Sequence, residues 1–127
     1  IVVDDSLVRG TSSRAIVKAL KKAGARKISM VITYPPIRFP CYAGIDFPSQ
    51  EELATYIDGK NHSEEQIIEK VRHDIGVDFL GYNDPQNLAN AVGIPIDSMC
   101  FTCATGNYET LGIKLSSFKS RREMKGE

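Results

Sequence analysis

Apolar residues along the chain follow two periods, one suited to strands and one to helices. Ile1-Val2-Val3 is a β-branched run that ends in Asp4-Asp5, as at the carboxyl end of a buried parallel strand. Ser6 to Ser12 is a polar turn containing Gly10. Ser13 to Ala23 then predicts a helix. Ile16, Leu20 and Ala23 recur at i, i+4 and i+7 as its apolar face, Lys18, Lys21 and Lys22 point to water, and Gly24 is the stop. Lys27 to Thr33 predicts the next strand, so the unit strand–loop–helix–strand implies a parallel pair with a right-handed crossover.

Beyond it, Pro35, Pro36 and Pro40 impose an extended loop. Ser49 with Glu52 is a capping box that predicts a short helix to about Tyr56, and Asp58-Gly59 is a turn. Ser63 with Gln66 opens a further helix, with Ile68, Val71 and Ile75 as its buried stripe and Gly76 at its end. Asp78 to Tyr82 predicts a short strand, and Asp84-Pro85 starts a small helix that ends near Val92. From Gly93 onward the pattern is irregular, and Lys114 to Glu127 reads as a charged tail. There is no internal repeat.

Composition narrows the class. The 127 residues suit one domain of ordinary size, 42% hydrophobic and 25% charged. The formal net charge is zero, which gives no global pull toward nucleic acid or an anionic membrane. No apolar run approaches the ~20 residues of a membrane-spanning helix. Acidic residues at Asp4 and Asp5 break any secretory leader pattern, so a cytoplasmic protein is expected. The chain opens at Ile1, inside a strand and without Met, and is read as a piece of a longer polypeptide.

The segment from Val2 to Ser13 carries the clearest chemistry. Two acids stand at a strand end, a Gly-containing turn follows, and hydroxyls stand where a helix begins. A helix start offers unpaired N–H groups and a positive dipole end, which together suit a phosphate. Gly10 permits close backbone approach, and Thr11 and Ser12 add donors. Asp4 and Asp5 can accept bonds from vicinal sugar hydroxyls or hold a hard cation through water. The plainer reading is a hydroxyl-capped helix beside surface acids.

The three cysteines are Cys41, Cys100 and Cys103. An odd number argues against a disulfide scaffold. Cys100-Phe101-Thr102-Cys103 is a C-x₂-C that leaves zinc, redox and unligated readings open. Redox is disfavoured because no thioredoxin-like strand-to-helix start lies here. A zinc site would need His62 or His73 as its fourth ligand, and His73 is expected on the solvated side of its helix.

The string Val2-Val3-Asp4-Asp5-Ser6-Leu7-Val8-Arg9-Gly10-Thr11-Ser12-Ser13 resembles the phosphoribosylpyrophosphate (PRPP) signature of type I phosphoribosyltransferases, and Ser-Leu-Val-Arg-Gly-Thr looks specifically like the glutamine PRPP amidotransferase family. Most other members of that fold have Thr-Gly where this chain has Arg9-Gly10. Pro35-Pro36-Ile37-Arg38-Phe39-Pro40-Cys41-Tyr42-Ala43-Gly44-Ile45-Asp46 is also similar to that family. Tyr34 departs from its pattern, where a small residue usually stands, and so does Ala43, where an aromatic is frequent. Both departures are read as touching packing more than chemistry. The Gly76-to-Tyr82 segment is familial in a less specific way.

The resemblance implies an α/β fold, a type I phosphoribosyltransferase-like parallel sheet with flanking helices, present as a partial domain. It implies residues 1–83 as the carboxyl-terminal half of that domain, 84–113 as a cysteine-containing segment, and 114–127 as the tail. It implies formation of phosphoribosylamine from PRPP and glutamine-derived ammonia, the first committed step of purine biosynthesis. Asp4, Asp5, Ser6, Arg9, Gly10, Thr11 and Ser12 would bind PRPP, with Mg²⁺ held at Asp4 and Asp5. No residue is singled out as a general acid, base or nucleophile. Cys41, Cys100 and Cys103 match three of the four ligands of the 4Fe–4S cluster carried by one class of these enzymes. The fourth ligand and the amino-terminal glutaminase domain would lie upstream, and a homo-oligomer is expected. Two other readings compete: a non-catalytic PRPP-binding regulator, and a small metal-binding interaction module.

Overall fold

The computed structural model describes residues 1–42, 49–59, 62–109 and 112. Three strands, β1 (Val2–Asp4), β2 (Ser29–Ile32) and β3 (Phe79–Tyr82), form one parallel sheet in the order β1-β2-β3. Val2 pairs with Met30 and Asp4 with Ile32, and Ile32 pairs in turn with Tyr82. Asp4, Ile32 and Tyr82 therefore form one row at the carboxyl end of the sheet.

Helix α1 (Thr11–Lys22) connects β1 to β2, and α2 (Glu64–Ile75) leads into β3. Both pack on one side of the sheet, where Met30, Ile32, Val71, Val17, Leu80 and Ile75 form the core with Leu7 and Val77. The alternate strand positions face the other way: Val3 is 66% exposed, Phe79 54% and Val31 36%. The expectation of a buried first strand is corrected here. β1 lies at the sheet edge, and helices cover one face only among the described residues.

Local signals explain most boundaries. Ser63 Oγ accepts the N–H of Gln66 at 3.3 Å, while Gln66 Oε1 accepts the N–H of Ser63 at 2.9 Å, which is the expected capping box of α2. Gly76 ends that helix in the left-handed region, at φ 76°. Asp84 caps α3 (Pro85–Val92) by accepting the N–H of Asn87 at 2.8 Å.

Three expectations need correction. In α1 the buried positions are Ser13 and Val17, with Leu20 packed at the core edge, while Ile16 is 39% exposed and Ala23 is exposed. The apolar spacing was right for a helix but was centred one residue from the face that meets the sheet. The Ser49 box caps only a 3-10 turn at Gln50–Glu52. Leu53, Ala54 and Thr55 are all buried and run inward, which an amphipathic helix cannot satisfy. The stretch after Gly93, read as irregular, contains a 3-10 turn at Ile96–Ser98 and a short helix, α4 (Thr102–Thr105), closed by Gly106 at φ 74°. The tail 114–127 lies outside the described residues.

Candidate functional site

Residues 5–10 form an irregular loop at the carboxyl end of β1, and α1 begins directly after it. Gly10 is the N-cap residue, at φ 70°, and no side chain caps the helix. The first helical bond runs from the N–H of Arg14 to the carbonyl of Gly10 at 3.0 Å. The N–H groups of Thr11, Ser12 and Ser13 precede it and are the free donors of a helix start. Thr11 and Ser12 are exposed beside them, and Ser13 is buried. The N-terminus of α1 is thus open toward solvent, with a hydroxyl-rich rim, and can receive an anion.

The acids stand at the mouth of this loop. Asp4 Oδ1 accepts the N–H of Asp5 at 3.0 Å, and Asp5 Oδ1 accepts the N–H of Ser6 at 2.8 Å. Each carboxylate commits one oxygen to fixing the backbone turn. Asp5 is exposed and Asp4 half-buried. This donor set fits hydroxyls of a sugar or a hydrated Mg²⁺.

Residues distant in sequence brace the loop. The N–H of Ala54 donates to the carbonyl of Val8 at 2.7 Å. Arg9 lies 3.7 Å from Glu52 as a solvent-exposed ion pair. Arg14 reaches back to the carbonyl of Arg9 at 3.3 Å and to Thr11 Oγ1 at 3.4 Å. The bracing contacts of Arg14, Glu52 and Ala54 were missed in the sequence. An Arg one turn into a helix with a hydroxyl at i−3 was the available signal for the first, whereas the other two act through tertiary contact.

The proline loop packs against residues 100–108. The N–H groups of Arg38 and Phe39 both donate to the carbonyl of Cys103 at 2.9 Å. Tyr108 Oη donates to the carbonyl of Pro40 at 2.6 Å, so it grips the residue before Cys41. Tyr34 Oη donates to the carbonyl of Cys100 at 3.0 Å and lies 3.5 Å from Cys103 Sγ. Burial pushes the Cys103 thiol up from its ordinary range, and the neighbouring Cys41 and Cys100 add to that while the Tyr34 hydroxyl opposes it. Burial, followed by Tyr42, Cys103 and Cys41 nearby, pushes the Tyr108 phenol up to about 12.

The three cysteines therefore share one neighbourhood despite their separation in sequence. Cys41 and Cys103 are half-buried and Cys100 is exposed, all as free thiols. Among the described residues no three His, Cys, Asp or Glu side chains are gathered closely enough to hold one metal ion. A cubane is a different demand, because it spaces its ligand sulfurs by roughly 6–7 Å with metal–sulfur bonds of about 2.3 Å. Cys41 comes from one of the two converging segments and Cys100 and Cys103 from the other, and thiols are the ligand type that such a group takes. His73 is exposed on α2, and His62 Nε2 is 3.1 Å from the carbonyl of Asp58. Ala43 and its neighbours through Pro48 lie outside the described residues.

No family model matches the chain. Individual proteins do. An amidophosphoribosyltransferase of Mycobacterium bovis is 44% identical over 108 residues, which is 85% of this chain and 20% of that protein. Over this stretch the chain is a relative of the amidophosphoribosyltransferases. The Bacillus subtilis amidophosphoribosyltransferase is 40% identical over 87% of the chain and 22% of its own length. The Methanothermobacter thermautotrophicus one is 37% identical over 96% of the chain and 24% of its own length.

Solved structures agree. The glutamine PRPP amidotransferase of B. subtilis, complexed with ADP and GMP, superposes with a TM-score of 0.66 at 41% identity, covering 84% of this chain and 22% of that one. A structure described as the allosteric regulatory enzyme of purine biosynthesis gives a TM-score of 0.68 at 38% identity over the same shares. The expected family resemblance and the phosphoribosyltransferase-type parallel sheet are borne out. The chain spans about a fifth of the length of the amidophosphoribosyltransferases it matches.

Proposed function

We propose that this chain is the PRPP-binding and cysteine-bearing part of an amidophosphoribosyltransferase. The observation that carries the reading is the open helix start at Gly10–Ser13 beneath Asp4 and Asp5, in a chain 44% identical to an enzyme of that name. The parent protein displaces pyrophosphate from C1 of PRPP with ammonia. The C1–O bond breaks, the C1–N bond forms, and the nitrogen then loses a proton to solvent. Such a reaction passes through an oxocarbenium-like state and is governed by positioning and charge stabilisation.

Each residue then has a task. The N–H groups of Thr11 to Ser13, with the hydroxyls of Ser6, Thr11 and Ser12, anchor the 5′-phosphate. Gly10 lets the backbone approach it, and Arg9 adds positive charge once it leaves Glu52. Asp4 and Asp5 orient the ribose hydroxyls and would hold Mg²⁺, which supplies charge neutralisation for the departing pyrophosphate. Cys41, Cys100 and Cys103 would hold three corners of a 4Fe–4S cluster, whose contribution is a cross-link between the proline loop and the cysteine segment. Ammonia derived from glutamine would reach the site from a glutaminase domain. A cytoplasmic homo-oligomer, with residues 1–83 as transferase domain and 84–113 as the cysteine segment, completes the proposal.

The readings as a PRPP-binding regulator or a metal module gain no specific observation. The test is pyrophosphate release by the full-length protein given PRPP, Mg²⁺ and ammonium salt. Turnover that requires both PRPP and ammonia is expected. Binding of PRPP without turnover would replace the enzyme by a regulator.

A further inference from the structure

Tyr34 stands just beyond β2, where the amidotransferase pattern has a small residue. Its backbone N–H donates to the carbonyl of Asp5 at 3.0 Å, and the adjacent Thr33 N–H donates to that of Asp4 at 3.0 Å. Its ring stacks on Phe101 with centroids 5.8 Å apart and planes 25° from parallel. Its hydroxyl meets both residues of the C-x₂-C pair, the Cys100 carbonyl and the Cys103 sulfur. A small residue could make the backbone bond but none of the others.

From this geometry we infer that Tyr34 is a positioning residue which ties the Cys100–Cys103 segment to the acidic end of the phosphate loop and hydrogen-bonds the Cys103 sulfur. The inference rests on the cluster reading above for its sulfur arm, and on the fold alone for its tether arm. A hydroxyl has one hydrogen and here faces two acceptors. While Cys103 carries its own hydrogen, the thiol donates to the hydroxyl and the hydroxyl donates to the Cys100 carbonyl. A metal-bound sulfur would carry none, and the Tyr34 hydroxyl would then be the group able to donate to it. Hydrogen bonds to cluster sulfurs raise the reduction potential, and outer partners of this kind hold ligands in place.

The test compares the full-length wild-type protein with Y34F, which keeps the ring and removes only the hydroxyl, and with F101L, which removes the stack but keeps the hydroxyl. Each is reconstituted anaerobically with iron and sulfide. Iron content, reduction potential and the rate of cluster bleaching in air are then measured. Hydrogen exchange of residues 100–106 is followed in the metal-free proteins. Y34F is expected to shift the potential to more negative values and bleach several-fold faster, whereas F101L leaves the potential in place. Metal-free Y34F is expected to exchange several-fold faster at 100–106. Unchanged potential and unchanged exchange in Y34F overturn the inference. If wild-type binds no iron, the cluster reading fails, and the exchange comparison alone then supports or overturns the tether.

Discussion

Gly10 rests on the end of helix α2: a Cβ added there would stand 3.3 Å from Cγ2 of Ile75 and 3.2 Å from the guanidinium of Arg14. Its φ of 70° also lies in the left-handed region, where an L side chain is strained. The loop between β1 and α1 thus depends on a glycine for its conformation and for its fit against α2.

Gly10→Ala should therefore destabilise the fold by about 1–2 kcal/mol, from left-handed strain and the tight contact with Ile75. Denaturant unfolding of the variant checks this. An unchanged midpoint would show that the loop relaxes freely and is not held by α2.

A second prediction concerns the segment behind the loop. Thr55 is buried, and its Oγ1 donates to the carbonyl of Ile37 at 2.5 Å. Thr55→Val conserves shape and removes the donor, so a buried carbonyl is left unpaired. A loss of about 1–3 kcal/mol is expected in thermal or denaturant unfolding. No loss would mean that water reaches Ile37 and that this joint between the proline loop and residues 53–55 is open.

How much of this could be read beforehand depended on how local each cause is. The start of α2 follows from Ser63 and Gln66, its end from Gly76, and the start of α3 from Asp84-Pro85, because caps act within one turn. The loop between β1 and α1 was legible as a strand end, a turn and a helix start for the same reason: acids, glycine and hydroxyls lie together in one short string. The face of α1 was not, since Ile16 and Val17 are equally apolar and only the sheet decides which is buried. Nor was the inward run at Leu53–Thr55, which answers to Val8 and Ile37 far away in sequence. Tyr34 was seen only as a departure from a pattern; its bonds to Cys100 and Cys103 exist because the fold brings the segment after β2 against residues 100–103.

The 127-residue chain on its own should form no phosphoribosylamine from PRPP with either glutamine or ammonia. It spans about a fifth of its relatives' length, and Val3, Val31 and Phe79 leave one sheet face uncovered among the described residues. Parallel sheets function with both faces packed. Product formation by this chain alone would contradict that division of labour.

The most direct test of the central claim is Asp5→Asn in the full-length protein, with both half-reactions measured. The substitution keeps the size of the side chain and the acceptor for the Ser6 N–H, but removes the charge that the proposed function assigns to the ribose and to Mg²⁺. A charged hydrogen bond contributes about 1.5–3 kcal/mol, so PRPP-dependent pyrophosphate release should fall roughly tenfold or more. Glutamine hydrolysis should stay within about twofold, on the same ground that the lost interaction lies at the transferase site. Pyrophosphate release equal to that of the wild type would contradict the assignment of this loop as the PRPP site.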